Sequence, residues 1–475
     1  MSGTTHTIDG LTRRLAEHVS RVANAPLTAH DTEAVRRLIL DHFIVSLLGS
    51  SRPAVRAIAQ WSRRFAGSGP CRVLGGEWCT DPAIAALVNG TAGHSYELDD
   101  THNETASHPG CVVIAAALAV ATVTDAPQTQ LLRAVAAGYE AMALIGSTAG
   151  GLDTVHRGFH PTAVYGVFGA ATACIALRAF SEQREVDVET VIAAWGHALS
   201  QAGASMQFSV ETTGGEVKRV HAGIGARNGV MAADFALLPA VSAPRLALEG
   251  TYGAAAIFGG ALRDVVPGDT LQVHNISLKP YACCRLFHST IDALAEVTDG
   301  FRVDARLITE IVITGPRLVA EQHMTRAEST MTAQYSCPYI VGATLAYGPN
   351  RYDAYSEAFL EDQAILGIAA KVRFEVSEAL EAQYYPKHFA SGVTMRFADG
   401  TSRSALVVDS VGTPLKPMSK AQIVAKGESL AAQPQFPRVD ALAELIWADA
   451  GASALAAGLT AGSADARKEH SEATK

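Results

Sequence analysis

The stretch YELDDTHNETASHPG, residues 96–110, places four carboxylates and two histidines within fifteen residues. It lies between an Ala/Gly-rich run and the apolar run CVVIAAALAVA at 111–121. Histidine titrates near neutral pH, and a carboxylate in a water-poor pocket can have its pKa raised enough to act as an acid or a base. The residue types therefore favour proton transfer, with Asp99 and Asp100 better suited to helix capping or to supporting other site residues.

Further stretches combine ionisable groups with glycine or proline: HRGFHPTAVYG (156–166), GGEVKRVHAGIGARNG (214–229), LKPYACCRLFH (278–288) and MTAQYSCPY (331–339). Taken singly, each has an ordinary explanation, because lone histidines and tyrosines often pack in cores and buried free cysteine behaves as a small hydrophobe. Together they place cations beside histidines in glycine-rich settings: Lys218, Arg219, Arg227, Lys279 and Arg285 near His160, His221 and His288. Such cations neutralise carboxylates, and glycine lets backbone N–H groups approach a ligand, so the combination favours a pocket for a small polyanion.

A carboxylate substrate explains this mixture of groups. Moving a proton at a carbon next to a carboxylate builds up negative charge, which cations stabilise in the transition state. A histidine or a carboxylate must carry the proton, and this is typically worth ~10²–10⁴ in rate.

Other chemistries fit the sequence less well. A metal hydrolase would suit the density of Asp, Glu and His, but the chain has no HExxH, HxH or CxxC motif. An iron–sulfur dehydratase needs cysteines at spacings that Cys283-Cys284 does not provide. A Walker loop, a strand-associated GxGxxG and a GxSxG motif are also missing, which argues against nucleotide binding and an α/β-hydrolase.

Helices must position most of these motifs. DTEAVRRLILDHFIVSLLGS (31–50) has apolar residues at helical spacing. Similar Ala-rich helices are predicted at 83–96, 111–123, 129–148, 161–180, 188–203 and 224–237. Their many small residues predict close helix packing.

The pattern changes after about residue 270. Residues 305–316 alternate as in a strand, and 393–410 form two alternating runs around Asp399-Gly400, which predicts a hairpin. Helices are predicted at 287–298, 337–347, 418–433 and 439–450. We therefore predict a mainly α protein with a large all-helical domain and a smaller α+β domain inserted before the C-terminal helices. The predicted boundaries are 1–272 for the helical domain, 273–414 for the α+β domain, 415–450 for helices that return to the first domain, and 451–475 for a disordered tail.

The composition of the chain argues against nucleic acid and membranes as binding partners. The chain has 475 residues and a formal charge of −9, which argues against a nucleic-acid surface. The apolar run 111–122 is too short to cross a bilayer, and the N-terminus has no apolar signal core, so we expect no membrane partner. Seven cysteines without a CxxC pair favour reduced thiols and a cytoplasmic location.

Taken in order, the motifs resemble the MmgE/PrpD family over residues from about 10 to 450. The resemblance is carried by GHSYELDDTH…HPG (93–110), GFHPTAVYGVFGAA (158–171), KRVHAGIGARNG (218–229), LKPYACCRLFH (278–288) and AQYSCPY (333–339). The family includes 2-methylcitrate dehydratase, cis-aconitate decarboxylase and iminodisuccinate epimerase. The resemblance implies a helical domain with an α+β lid, a homodimer, a small polycarboxylate substrate, and catalysis with no metal and no organic cofactor.

The resemblance also implies a set of pocket residues, namely Glu97, Thr101, His108, His160, Lys218, Tyr335 and one of Cys284, Arg285 and His288. ELDD, KRV…ARNG and YACC are most similar to the fungal cis-aconitate decarboxylase branch, whereas HPG (108–110) departs from it. Another cis-aconitate decarboxylase branch has aspartate where this chain has Glu97, and glutamate reaches about one bond further than aspartate. That branch also has one residue fewer before the histidine that matches His108.

These residues have expected roles. His108 and His160 form the proton-transfer pair, and Lys218, with Arg219 or Arg285, binds substrate carboxylates. Further substrate contacts are expected from His221 and from Cys284 or His288. Glu97 and Thr101 orient a histidine or a substrate hydroxyl, while Tyr335 closes the site from the lid. A decarboxylating or dehydrating lyase is the first expectation, an epimerase or isomerase the second, and a non-catalytic polycarboxylate-binding protein the third.

Overall fold

The computed structural model describes residues 10–74, 76, 78–211, 215–320, 326–385, 387–430 and 438–459. Up to residue 236, helices dominate: α1 (Leu11–Asn24), α2 (Ala29–Ser50), α3 (Pro53–Ser62), α4 (Pro82–Gly93), α5 (Gly110–Val123), α6 (Gln128–Thr148), α7 (Leu152–His156), α8 (Pro161–Ser181), α9 (Val188–Leu199) and α10 (Glu216–Ala236). Short strands lie between them: β1 (Cys71–Arg72), β2 (Cys79–Thr80) and β3 (Thr101–His102).

The remaining part mixes strands and helices. Its elements are β4 (Ile276–Ser277), α11 (His288–Val297), β5 (Ile308–Gly315), α12 (Arg317–Ala320), α13 (Thr330–Tyr335), α14 (Cys337–Tyr347), α15 (Gln363–Ala369), β6 (Val372–Val376), α16 (Glu378–Tyr384), β7 (Ser391–Phe397), β8 (Ser402–Val407), α17 (Lys420–Leu430), α18 (Val439–Trp447) and α19 (Ala452–Gly458). The mainly α class predicted from the sequence is confirmed.

The helical core is built around α8, which packs against α6 and α10, while α10 also packs against α4. Close approach of α10 to α4 depends on Gly223, because a Cβ there would lie 2.1 Å from the carbonyl oxygen of Leu87. A side chain at that distance would force the helices apart. The glycine therefore brings the first turns of α10 next to the loop that follows α4.

Helix α8 is long and apolar enough to cross a membrane by length and composition. Nearly all of its apolar window is buried against other helices, among them α5, α6 and α10. This burial is typical of a core helix inside a folded domain.

The largest described sheet has the strand order β6-β5-β7-β8. Strands β5 and β6 are parallel, β5 and β7 are antiparallel, and β7 and β8 form the predicted hairpin. Gly400 in its turn has a φ of 83°, the left-handed conformation that an Asp-Gly turn requires. Helix α11 covers one face of β7 and β8.

The chain then returns to helices that contact the first part of the structure. Helices α17 and α18 pack against α2, and α19 packs against α5 with Leu455 fully buried. The prediction of a disordered tail is therefore wrong for residues 452–458, because the Ala and Leu side chains of this helix are buried against α5. Residues 460–475, and residues 431–433 of the predicted helix 418–433, lie outside the described residues. The domain boundaries stay a prediction.

Candidate active site

The loop between α4 and α5, residues 94–109, carries the ionisable stretch. Its strand β3 pairs antiparallel with β4, with Thr101 opposite Ser277, and this pairing brings Lys279 beside the loop. Because α10 lies against α4, Lys218 and Arg219 in the first turn of α10 reach the same loop from the other side.

Side chains from distant segments hold alternate backbone carbonyls of this loop. Arg219 Nη1 donates to His94 O (3.1 Å), Gln334 Nε2 donates to Tyr96 O (2.8 Å) and Lys426 Nζ donates to Leu98 O (3.1 Å). Between the last two clamps, Glu97 has a φ of 54°, a left-handed conformation that costs a non-glycine residue roughly 1–3 kcal/mol. The hydrogen bonds to Tyr96 and Leu98 therefore hold Glu97 in a backbone conformation that it would not keep without them.

The Glu97 carboxylate is surrounded by positive charge. It accepts hydrogen bonds from Lys218 Nζ, from Arg219 Nη1 at 2.6 Å and from Lys279 Nζ at 3.1 Å. Burial would raise the pKa of Glu97, but the charges of Lys218, Lys279 and Arg219 hold it well below its usual range. Three buried cations face two carboxylates, Glu97 and Asp99, so the cluster retains positive charge that a further carboxylate can neutralise.

Tyr335, at the end of α13, completes this cluster. Its hydroxyl lies 2.5 Å from Lys218 Nζ and donates to Glu97 Oε1 at 3.1 Å. Burial raises the pKa of Tyr335 well above its usual value and lowers the pKa of Lys218. Tyr335 is therefore a neutral hydroxyl donor, and it is only partly buried, unlike Glu97 and Lys218.

The geometry of His108 fixes which ring nitrogen is free. Nδ1 lies 2.7 Å from the carbonyl oxygen of Asp100, so Nδ1 carries the proton, and Asp99 Oδ2 lies 3.4 Å from the same nitrogen. Thr101 Oγ1 is 3.4 Å away. Burial lowers the pKa of His108 to about 3, so its ring is neutral near pH 7 and Nε2 can accept a proton.

A row of histidine rings continues from His108. His94 lies 4.9 Å from His108 and 5.6 Å from His160, measured between ring centroids. His160 Nδ1 lies 3.2 Å from His221 Nδ1, so one of the two rings donates to the other. Burial and the neighbouring positive groups lower the pKa of His160 well below its usual value.

His94, Asp99 and Cys111 place potential ligand atoms within 4.8 Å of one another. However, His94 Nδ1 donates a hydrogen bond to Asp99 Oδ2 at 2.6 Å, while Lys279 lies 4.0 Å from Asp99. Burial also raises the pKa of the Cys111 thiol well above its usual value, and a metal-bound sulfur must be a thiolate. These contacts fit a hydrogen-bonded support for the histidines better than a metal centre.

The structure separates the three candidates at 284–288. Cys284 lies beside the cluster, because its N–H donates to the carbonyl oxygen of Gln334 at 2.9 Å and the Gln334 side chain accepts from Arg219 at 3.0 Å. Burial raises the pKa of the Cys284 thiol. Arg285 instead donates to Ser410 Oγ at 2.8 Å, in a separate small cavity. The ring of His288 bonds to the Cys283 carbonyl and packs against Tyr281. Arg285 and His288, expected as substrate contacts, therefore do not join the Glu97 cluster in this structure.

The sequence motifs did not identify His94 and Gln334 as candidate-site residues, although both lie inside motifs that carry the family resemblance. Asp100 has a supporting role close to the expected one: its carboxylate accepts from the Gly110 N–H at 2.8 Å and from the Tyr139 hydroxyl at 2.7 Å. It thereby satisfies a backbone donor at the start of α5. Burial raises the pKa of Asp100 to about 7.

The buried rings predict a loss of stability in acid. Burial lowers the pKa of His42 to about 4 and that of His108 to about 3, whereas both titrate near 6.5 when exposed. Between these values the unfolded chain binds protons that the folded protein excludes, so the stability that each ring contributes is fully present above about pH 6.5 and falls as the pH drops. Each ring contributes up to about 1.4 kcal/mol per pH unit to the free energy of unfolding.

His42→Gln should remove one of these contributions. We expect the free energy of unfolding, measured with denaturant between about pH 7 and pH 5, to fall less steeply for this variant. His156→Gln is the matched control because His156 is exposed. Equal slopes for His42→Gln and the unsubstituted protein would contradict the prediction.

Comparisons with known proteins agree with the motifs. Residues 13–263 match the family model described as "MmgE/PrpD N-terminal domain", and residues 281–449 match "MmgE/PrpD C-terminal domain". The chain is 27% identical over 461 residues to a "Cis-aconitate decarboxylase" of Aspergillus terreus, covering 89% of each protein. It is 28% identical to the "Cis-aconitate decarboxylase-like protein oryM" of Aspergillus oryzae, covering 87% of this chain and 88% of that protein. It is 24% identical to a "Cis-aconitate decarboxylase" of Homo sapiens, covering 78% and 77%.

Proposed function

Because this chain belongs to the MmgE/PrpD family, we propose that it is a lyase acting on a small tricarboxylate. It removes CO₂ or water by proton transfer at a carbon next to a carboxylate, using its own side chains. The relatives named cis-aconitate decarboxylase support decarboxylation of a substrate of the cis-aconitate type as the first reaction to test.

One observation carries this proposal: three buried cations face only two protein carboxylates, beside a row of neutral histidines. The cations are Lys218, Arg219 and Lys279, and the carboxylates are Glu97 and Asp99. Isolated buried charges are costly unless paired, so surplus positive charge favours an anionic ligand. A tricarboxylate supplies that charge, and the negative charge it brings also raises the pKa of a neighbouring histidine.

In a decarboxylation, the bond between carbon and the departing carboxylate breaks, CO₂ leaves, and the electron pair stays on carbon. The adjacent carboxylate delocalises this charge, and Lys218 and Lys279 stabilise it. A proton then forms the new C–H bond, and the His108 ring carries it on Nε2 once bound substrate has raised its pKa. Tyr335 supplies a neutral hydrogen bond at the partly exposed side of the site.

A dehydration uses the same groups in another order. His108 Nε2 removes a proton from the carbon next to a carboxylate, and the imidazolium so formed gives this proton to the hydroxyl on the neighbouring carbon, which leaves as water. Thr101 is placed to orient such a hydroxyl, because its Oγ1 lies beside the His108 ring.

An epimerase is the second candidate. His108 and His160 both pack against His94, so two rings that could serve as bases lie in one row. Two bases on opposite sides of one carbon would invert it rather than eliminate a group. The expected homodimer and cytoplasmic location stay predictions.

A panel of tricarboxylates and dicarboxylates incubated with the protein in D₂O tests the proposal, with products read by NMR. A decarboxylase yields CO₂ and an unsaturated acid with deuterium at the carbon that was protonated, whereas a dehydratase yields an unsaturated acid by loss of water. Inversion without loss of a group would identify the epimerase. If no acid of the panel is turned over and none shifts the thermal unfolding midpoint, both enzymatic functions are contradicted.

A further inference from the structure

We propose that Lys426, on the C-terminal helix α17, is a positioning residue for the active-site loop. It acts by holding the peptide between Glu97 and Asp99, and its effect on turnover rests on the function proposed above.

The side chain of Lys426 is buried between two segments of the chain. Its Nζ lies 2.7 Å from Asp41 Oδ1 on α2 and donates to the carbonyl oxygen of Leu98 at 3.1 Å. Lys426 is 5% exposed and Asp41 is 1% exposed, so water has little access to either group. The lysine is therefore a direct link from α17 to the backbone of the loop.

The ion pair itself adds little to stability. Desolvation of two buried charges commonly offsets their attraction. Consistent with this, burial raises the pKa of Asp41 even with Lys426 beside it, and Asp41 Oδ2 has no hydrogen-bond partner. The contact with Leu98 is the feature of Lys426 that bears on the site.

Leu98 lies between two functional residues. Before it, Glu97 has the left-handed backbone conformation that orients its carboxylate toward Lys218 and Lys279. After it, Asp99 bonds to His94 and lies beside His108. Without the bond to its carbonyl, the peptide group between Leu98 and Asp99 is free to move. The side chains of both Glu97 and Asp99 are then held less firmly.

This placement predicts a change in kcat more than in KM. The cations that would bind substrate carboxylates stand on α10 and after β4, and α17 carries none of them. The Lys426 side chain donates to Asp41 and Leu98 rather than to the segments that carry these cations. Substrate binding should therefore be affected less than the chemical step, for which Glu97 and the His108 ring must be held in place.

The test compares Asp41→Asn with the double variant Asp41→Asn/Lys426→Met. In Asp41→Asn, Lys426 keeps its N–H donor to Leu98 whether or not its amine is charged, and we expect kcat within about threefold of the unsubstituted protein. The double variant has no buried charge at this place and no donor to the Leu98 carbonyl. We expect its thermal stability to be similar to that of Asp41→Asn. Relative to Asp41→Asn, we expect a kcat at least about tenfold lower and a KM changed less than about threefold. Equal kcat in the two variants would overturn the proposal.

Amide hydrogen exchange read by mass spectrometry separates this inference from the proposed function. We expect faster exchange in peptides covering 94–110 in the double variant than in Asp41→Asn, with unchanged exchange in peptides of α2 and α10. Unchanged exchange in 94–110 would overturn the positioning role even if a substrate is found. Faster exchange without turnover of any tested acid by the unsubstituted protein would support the positioning role and contradict the proposed reaction.

Discussion

Replacing His108 by asparagine is expected to lower kcat by about 10²–10⁴-fold, the usual contribution of a positioned acid or base. The asparagine amide can still donate to the Asp100 carbonyl, as His108 Nδ1 does at 2.7 Å, so the loop keeps that bond. What the variant loses is Nε2, the ring nitrogen that accepts and returns the proton. The measurement is kcat with the substrate identified from the acid panel.

His156→Asn is the matched control for this variant. His156 precedes the GFHP motif and is exposed, so its loss removes a histidine without touching the site. The control should retain kcat within about twofold, and both variants should unfold at temperatures close to that of the unsubstituted protein. A His108→Asn protein that is folded and retains more than about a tenth of normal kcat would refute the assignment of His108.

Replacing Lys218 by methionine is expected to lower kcat/KM by about 10²–10³-fold, as for the loss of one donor to a developing anion. Lys218 contacts both Glu97 and Tyr335, and its charge lies where substrate carboxylates would bind. KM should rise because the substrate carboxylate loses a cationic partner in the ground state. Lower kcat is also expected, because the negative charge that forms in the transition state loses a stronger interaction with this cation than the ground state does.

Lys416→Met supplies the comparison for Lys218, because Lys416 is exposed. Its steady-state constants should match those of the unsubstituted protein. The Glu97 carboxylate keeps Arg219 and Lys279 when Lys218 is replaced, so the loop should remain folded and melt cooperatively. If Lys218→Met changed neither constant by more than about threefold, the cation cluster would not be the carboxylate site.

The regular elements were predictable where apolar runs had clear ends. Helix α14 has the predicted bounds, 337–347, because proline stands at its start and Gly348 follows its last residue. Helix α10 instead begins at Glu216, before the predicted start at 224. Its first turns bury Lys218 and Arg219 on the inner face, and charged residues on a buried face remove the apolar periodicity that marks a helix.

The candidate site was predictable as a set of residue types but not as a set of contacts. Glu97 meets Lys218 across 121 residues and Lys279 across 182, and no local spacing encodes such pairings. Likewise, Cys284 and Arg285 stand in an irregular segment without a repeating face, so only the folded backbone decides which one turns toward Glu97.

The carbonyl clamps on the loop after α4 have a consequence for how the protein matures. Leu98 is separated from Lys426 by 328 residues, so the loop gains this clamp only after residue 426 has been synthesised. On the ribosome, the N-terminal helices can bury their apolar faces long before that lysine has emerged from the exit tunnel. A nascent chain released before that point would therefore contain a packed helical core around a loop that still lacks the clamp on Leu98.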